Sequence, residues 1–172
     1  MTVQLVRMSD ASVEPKTLPS GTKIVAGYIG GNTPHVWSRT EWERFKGLRK
    51  LPIFVCTGEE NGIPDAFSAL RRLYQLNVPK GTVVAYDLET SQFATTTLNF
   101  FRVLYWAGYH TWIYGSRSTV FANSRASGYW VADYTGVSHL VKGSVATQWR
   151  SGPQWDSSVV KSWQYLRRLR AW

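Results

Sequence analysis

Short apolar runs alternate with stretches of helical spacing along most of this chain, the pattern that a parallel sheet covered by helices requires. Leu51 to Val55 and Thr82 to Tyr86 read as buried strands. Between them, Pro64 to Leu76 sets Phe67, Leu70, Leu73 and Tyr74 on one helical face, with Arg71 and Arg72 beside it. Thr97 to Trp106 repeats the helical spacing with Leu98, Phe101, Leu104 and Tyr105, and Gly108 ends it before a strand over Thr111 to Tyr114.

The flanks follow the same rhythm with shorter elements. Thr2 to Met8 alternates Val3 and Leu5 with polar residues and predicts a strand, followed by a turn-rich loop through Asp10 to Gly21. Lys23 to Ile29 is a second strand, and Ser38 with Glu41 forms a capping box that opens a helix to about Leu48. After Ser116 come a helical turn near Val120, strands around Tyr129 to Ala132 and Ser144 to Trp149, and a helix from Ser157 to about Leu169. About eight strands are explained by closure into a barrel. At 172 residues the chain is shorter than such barrels usually are, so helices must be shortened or missing. The expected fold is therefore α/β, a compact irregular (β/α) TIM-like barrel forming one domain over residues 1–172.

Composition narrows the function classes. Twenty Lys and Arg against eleven Asp and Glu give a net charge of +9, which draws the protein to polyanions: nucleic acid, an anionic membrane or bacterial wall polymers. No apolar stretch approaches the roughly 20 residues of a membrane span, so none is expected. Met1 to Ser9 carries one Arg and no unbroken apolar core, so no secretory signal is expected either. The one cysteine, Cys56, follows an apolar run and reads as an inert core thiol. His35, His110 and His139 are too dispersed for a local metal motif, and neither a metal nor a cofactor is expected. Gly27, Gly30 and Gly31 lack the spacing of a dinucleotide fingerprint and the Lys of a P-loop, and read as a turn that lets a substrate approach the backbone.

The chemistry-bearing motif is Tyr86-Asp87-Leu88-Glu89, which closes the most apolar strand. Residues two apart in extended chain share a side, so Asp87 and Glu89 would face one another's charge and hold a proton near neutral pH. The alternative for a bare Asp-x-Glu is a solvated turn. Aromatic residues make up 15% of the chain, and Tyr28, Trp37, Tyr114, Trp130 and Trp149 fall at or just past strand ends, where a ring can stack on a sugar. The competing reading is that these rings are core. Asp133 reads as a structural partner of a backbone amide or an Arg. Lys161 to Trp172 reads as a terminal helix with Trp163 and Leu166 packed and Arg167, Arg168 and Arg170 solvated.

Several segments, in order, resemble the Chalaropsis-type lysozymes of glycoside hydrolase family 25, and more closely a group of actinobacterial glycoside-hydrolase-like domains. Asp10-Ala11-Ser12 is similar to the family's early Asp-x-Ser, and Asp87-Leu88-Glu89 to its central Asp-x-Glu. Gly108-Tyr109 through Ser116, Trp130-Val131-Ala132-Asp133-Tyr134, and Thr147-Gln148-Trp149 with Trp155-Asp156 resemble its later strands. Ala26-Gly27-Tyr28-Ile29-Gly30-Gly31 and Leu51-Pro52-Ile53-Phe54-Val55 are shared with the actinobacterial group.

The resemblance implies an irregular barrel that cuts the β-1,4 bond after N-acetylmuramic acid. Glu89 would protonate the leaving oxygen, Asp87 would orient the acetamido group or act as base, and Asp10 and Asp156 would complete the cleft. The partner so implied is bacterial cell-wall glycan. Two other readings stay open: a catalytically silent glycan-binding or phage virion or tail module on the same barrel, and a nucleic-acid binder that rests on charge alone. Without a signal peptide, synthesis in the cytoplasm and access to the wall by phage release or within a phage particle, beside other virion proteins, would fit.

Overall fold

The computed structural model describes residues 4–58, 61–89, 94–123, 126–161 and 169–172. The strands are β1 (Leu5–Ala11), β2 (Ile24–Gly31), β3 (Arg49–Val55), β4 (Val83–Asp87), β5 (His110–Ser116), β6 (Gly128–Ala132), β7 (Ala146–Arg150) and β8 (Asp156–Lys161). They close into a barrel in chain order, with β1 hydrogen-bonded to β8. Helices α1 (Arg39–Glu43), α2 (Ile63–Gln75), α3 (Ala94–Trp106) and α4 (Arg117–Ala122) follow the second to fifth strands, and among the described residues none is placed between β6 and β7 or between β7 and β8. The expected TIM-like barrel with shortened and missing helices is what the chain forms. No helix of the described residues is long and apolar enough to cross a membrane.

Period-two alternation sorts the side chains into two layers. Met8, Ala26, Ile53, Ala85, Trp112 and Val160 fill the barrel interior. Their neighbours Val25, Phe54, Val84, Tyr86, Ile113 and Val131 point outward and pack with Leu73, Phe100 and Leu104 of the helices. The sole cysteine belongs to this outer layer: the Tyr86 hydroxyl lies 3.0 Å from Cys56 Sγ and 2.7 Å from Asp65 Oδ2. Burial pushes the thiol up from its ordinary value.

The structure corrects the sequence reading in five places. The segment expected to open a terminal helix at Ser157 is β8, antiparallel to both β7 and β1. Val159 and Val160 are β-branched, and a strand here satisfies the two edges that a helix would leave unpaired. Of the rest of that helix, residues 162–168, including Trp163, Leu166, Arg167 and Arg168, lie outside the described residues. The first strand runs to Ala11, so Asp10 sits in the sheet and not in a loop. The capping box at Ser38 and Glu41 is present, but α1 stops at Glu43 because the next turns close by i to i−3 bonds and Gly47 takes a φ of 84°. On α2 the buried face is Ala66, Ala69 and Leu73, which lets the helix lie close, while Phe67 and Tyr74 are 60% and 83% exposed.

The fifth correction concerns Gly31. Its φ is +88° and any side chain there would run into the Val55 carbonyl oxygen, so the close approach of strand β3 accounts for the glycine without a substrate. Gly31→Ala is therefore expected to cost about 2–5 kcal/mol from strain and overpacking together, read by denaturant unfolding. A variant within about 0.5 kcal/mol of wild type would contradict the close approach.

Candidate active site

The alternation that fills the interior also builds its rim. Asp10 lies two residues beyond Met8 in β1, Tyr28 two beyond Ala26, Asp87 two beyond Ala85, Tyr114 two beyond Trp112 and Gln148 two beyond Ala146. Each therefore points inward, one rung above the apolar fill. Because β8 runs antiparallel, its first residue Asp156 reaches the same rung, directly opposite Asp10 in the ladder. Such opposed positions hold their Cβ atoms about 4.5–5.5 Å apart. Asp87 pairs in register with Val55 on one side and Tyr114 on the other. Glu89 follows the end of β4 and is exposed, whereas Asp87 is 1% exposed. The Asp-x-Glu pair thus couples a buried acid to a solvent-facing one instead of presenting two equivalent groups.

The charges meet across the mouth. Asp10 is raised well above the ordinary carboxylate value, first by burial and then by the charges of Asp156, Asp87 and Glu89, with its own backbone hydrogen bond in opposition. Asp87 is raised to about 8, by burial first and then by the charge of Glu89. The Tyr28 phenol is pushed up by burial and then by all four carboxylates, which locates it in their common field. Among the described residues none of the four has an ion-pair partner. Asp10 Oδ1 and Asp87 Oδ1 are buried without a hydrogen-bond partner. Asp156 differs: Gln148 Nε2 donates to its Oδ2 at 2.7 Å and the Gly152 N–H to its Oδ1 at 2.9 Å. A groove of about 530 Å³ leads away from Asp10 and Asp156 between residues 11–16 and 151–155. Among the described residues no group of three or more His, Cys, Asp and Glu could hold a metal ion.

The aromatic residues divide. Trp37 is fully buried, packed on Trp42 at 4.8 Å and lying over Gly27, whose missing Cβ would meet the indole at 2.5 Å. Trp130 is inside the barrel, its Nε1 donating to Ser158 Oγ at 3.1 Å. Neither has a face left for a sugar. Tyr114 is also buried, its ring against Trp130 at 4.5 Å, and offers the site only its hydroxyl, 3.1 Å from that of Tyr134. Tyr28 and Trp149 are half-buried, Trp149 at the bulge where β7 slips register against β8. Tyr28, Tyr114 and Trp130 all point inward, and their height along the barrel axis separates the packed Trp130 from the half-buried Tyr28, while Trp37 lies in the loop between β2 and α1.

Two participants were missed as site residues although their motifs were visible. Tyr134 is 56% exposed and lies in the field of Asp156, Glu89 and Asp10. Gln148 orients Asp156. Among the described residues the Asp133 side chain bonds neither an amide nor an Arg; its Oδ2 meets His139 Nε2 at 2.9 Å. The Val137 carbonyl and then Asp133 raise that imidazole above its ordinary value.

No protein-family model and no curated protein sequence matches the chain. Solved structures do. An uncharacterized B. stearothermophilus protein superposes with a TM-score of 0.80 at 17% identity, over 96% of this chain and 100% of that one. The Mycobacterium tuberculosis Tat-secreted protein Rv2525c, in complex with L-tartrate, gives 0.67 at 11% identity over 94% and 98%. The modular autolysin LytC from Streptococcus pneumoniae, in complex with a synthetic peptidoglycan ligand, gives 0.68 at 14% identity over 90% of this chain. The Cpl-1 endolysin, complexed with a peptidoglycan analogue, gives 0.66 at 16% identity over 92%. This chain spans 46% of the LytC chain and 55% of the Cpl-1 chain. At these identities the likeness establishes a shared barrel fold.

The raised Asp87 makes a pH prediction. Its folded value near 8 lies above its ordinary value, so the folded protein binds more protons than the unfolded chain across the interval between them. Stability is then highest below the ordinary value and is lost as pH rises through about 8, with a slope of about 1.4 kcal/mol per pH unit for one retained proton. Thermal melts from pH 5 to 9 should show a falling Tm, and Asp87→Asn should flatten the fall. A Tm that climbs with pH in both proteins would contradict the buried-acid assignment.

Proposed function

We propose that this protein is a peptidoglycan-directed glycoside hydrolase of muramidase type, with Glu89, Asp87, Asp10 and Asp156 as its acidic machinery. The observation that carries the reading is the uncompensated carboxylate cluster at the barrel mouth, in which Asp87 keeps a proton to about pH 8. Buried carboxylates without cations or full hydrogen bonding lower stability, and a barrel serving only as scaffold gains nothing from them. A carboxyl that keeps its proton at neutral pH gives a catalytic site a neutral hydrogen-bond donor beside the acid that meets the substrate.

The environments suggest a division of labour. Glu89 is exposed and is the carboxyl a polymer can touch, so it delivers the proton to the leaving oxygen. Asp87, protonated and buried just behind it, acts as a hydrogen-bond donor to the acetamido group and not as a base. Asp156, oriented by Gln148 and Gly152, stabilises positive charge developing at the sugar ring, and Asp10 opposite it completes the cleft. Tyr28 and Tyr134 border the cleft with phenol groups that can hydrogen-bond a glycan. The barrel shared with LytC and Cpl-1, both solved with peptidoglycan ligands, supports this substrate class, and the net charge of +9 favours an anionic wall.

Incubation with purified peptidoglycan and mass spectrometry of the soluble fraction should yield muropeptides with new reducing ends. Glu89→Gln should lower release by about 10²- to 10⁴-fold while leaving sedimentation with the wall intact. A folded wild-type protein that binds wall and releases nothing would instead favour a silent glycan-binding or virion module, and a Glu89→Gln variant as active as wild type would remove Glu89 as the acid.

A further inference from the structure

The loop between β6 and β7 carries Tyr134 to the acid mouth, and burial does little to hold it there. Tyr134 to Ser138 are all exposed, Val137 at 69%, so the stretch gains little from apolar packing. Its first half is anchored through the backbone: the Asp133 N–H donates to the Gln148 carbonyl at 2.9 Å and the Gly136 N–H to the Trp149 carbonyl at 3.0 Å. The second half turns back through His139, whose ring reaches across the loop. Its Nε2 lies 2.9 Å from Asp133 Oδ2 and its Nδ1 2.8 Å from the Val137 carbonyl oxygen.

Those two partners decide the charge of the ring. An ionised carboxylate and a carbonyl oxygen can only accept, so both ring nitrogens must carry hydrogen, and the imidazolium is the form that fits. A neutral ring would set a nitrogen lone pair against one of the two oxygens. Thr135 does not remove the conflict: its hydroxyl lies 3.1 Å from Nδ1 and 3.1 Å from the Val137 carbonyl oxygen, and it has one hydrogen for the two. Among the described residues Asp133, just past the end of β6, is the charged group that acts on the imidazole, and burial works the other way.

We infer that His139, as the imidazolium, is a positioning residue that closes this loop and holds the Tyr134 phenol at the mouth, and that loss of its proton lets the loop open and the phenol move. Asp133 immediately precedes Tyr134, so fixing its side chain fixes the backbone from which the tyrosine departs. The phenol itself meets the barrel through the Tyr114 hydroxyl at 3.1 Å, a single contact that a moving loop would break. What this does to a glycan rests on the hydrolase reading; the coupling of His139 to Tyr134 does not.

The test is an NMR titration of protein with ¹³C-labelled histidine and tyrosine rings, the signals assigned by His139→Gln and Tyr134→Phe. The His139 signal should move with a midpoint above about 6.5, the ordinary histidine value, and the Tyr134 ring signals should move with the same midpoint. Burial pushes the Tyr134 phenol up from its ordinary value, so its own ionisation stays clear of that interval. Asp133→Asn, which removes the charge and keeps the size, should lower the His139 midpoint, and His139→Gln should abolish the Tyr134 transition. A His139 midpoint at or below about 6.5 would overturn the inference, as would a Tyr134 transition that survives in His139→Gln and so belongs to the carboxylates of the mouth. In the Glu89→Gln background, affinity for sedimented peptidoglycan should be about two- to tenfold weaker above the His139 midpoint than below it, the worth of one hydrogen bond, and His139→Gln should lack that step. Equal affinity on both sides while Tyr134 moves would overturn the positioning role. If Glu89→Gln ignores the wall at every pH, it is the hydrolase reading that fails, and the spectra still decide the coupling.

Discussion

A closed barrel leaves its side chains only two directions, and the parity of each strand decides which residues share the enclosed axis. In this protein one parity class carries the apolar interior and, one rung further, the acidic mouth. Met8 and Asp10 belong to the same inward row of β1, and Ala85 and Asp87 to the same row of β4. A one-residue slip in either strand would send the apolar residue to the helices and the acid to the outside. Core and site are therefore held by the same register. The antiparallel β8 completes the arrangement: its ladder with β1 sets Asp156 opposite Asp10, and its pairing on both edges closes the barrel.

The cost of that geometry is electrostatic. Four carboxylates share a mouth with no cation to offset them among the described residues, and two of their oxygens are buried without partners. The surroundings relieve the strain unevenly. Asp156 receives donors from Gln148 and Gly152, Glu89 reaches water, Asp87 is raised to about 8, and Asp10 is pushed in the same direction by burial and by its neighbours' charges. Stability given up at a mouth is the pattern expected where a site needs groups poised away from their resting protonation.

Much of this was legible in the chain. Apolar runs such as Leu51 to Val55 and the capping box at Ser38 are local signals, and local signals located most of the elements. Asp87 and Glu89 could be paired because they are two residues apart. What local signals do not carry is which side of the sheet is enclosed. Trp37, in the loop after β2, is spent on filling the space above Gly27, Trp130 at the middle of β6 fills the barrel axis, and Tyr114 keeps only its hydroxyl for the site. The misassigned β8 fails for a related reason: whether Ser157 to Lys161 is strand or helix is settled by the open edges of β7 and β1, which are far away in the chain. Lys50 was likewise unremarked, since a lone lysine after an arginine looks solvated until the tail at Leu169–Trp172 is seen to cover it.

Parity places an acid cluster in a shared mouth that holds no cation among the described residues and retains a proton at neutral pH. The most direct test of this arrangement is a ¹³C carboxyl NMR titration of the aspartates between pH 3 and 10. The account predicts that the Asp87 resonance moves with a midpoint near 8 and that Glu89→Gln lowers that midpoint, because the second-largest contribution to its rise is the charge of Glu89. An Asp87 carboxyl that titrates near 4, as an unperturbed aspartate does, would contradict the account.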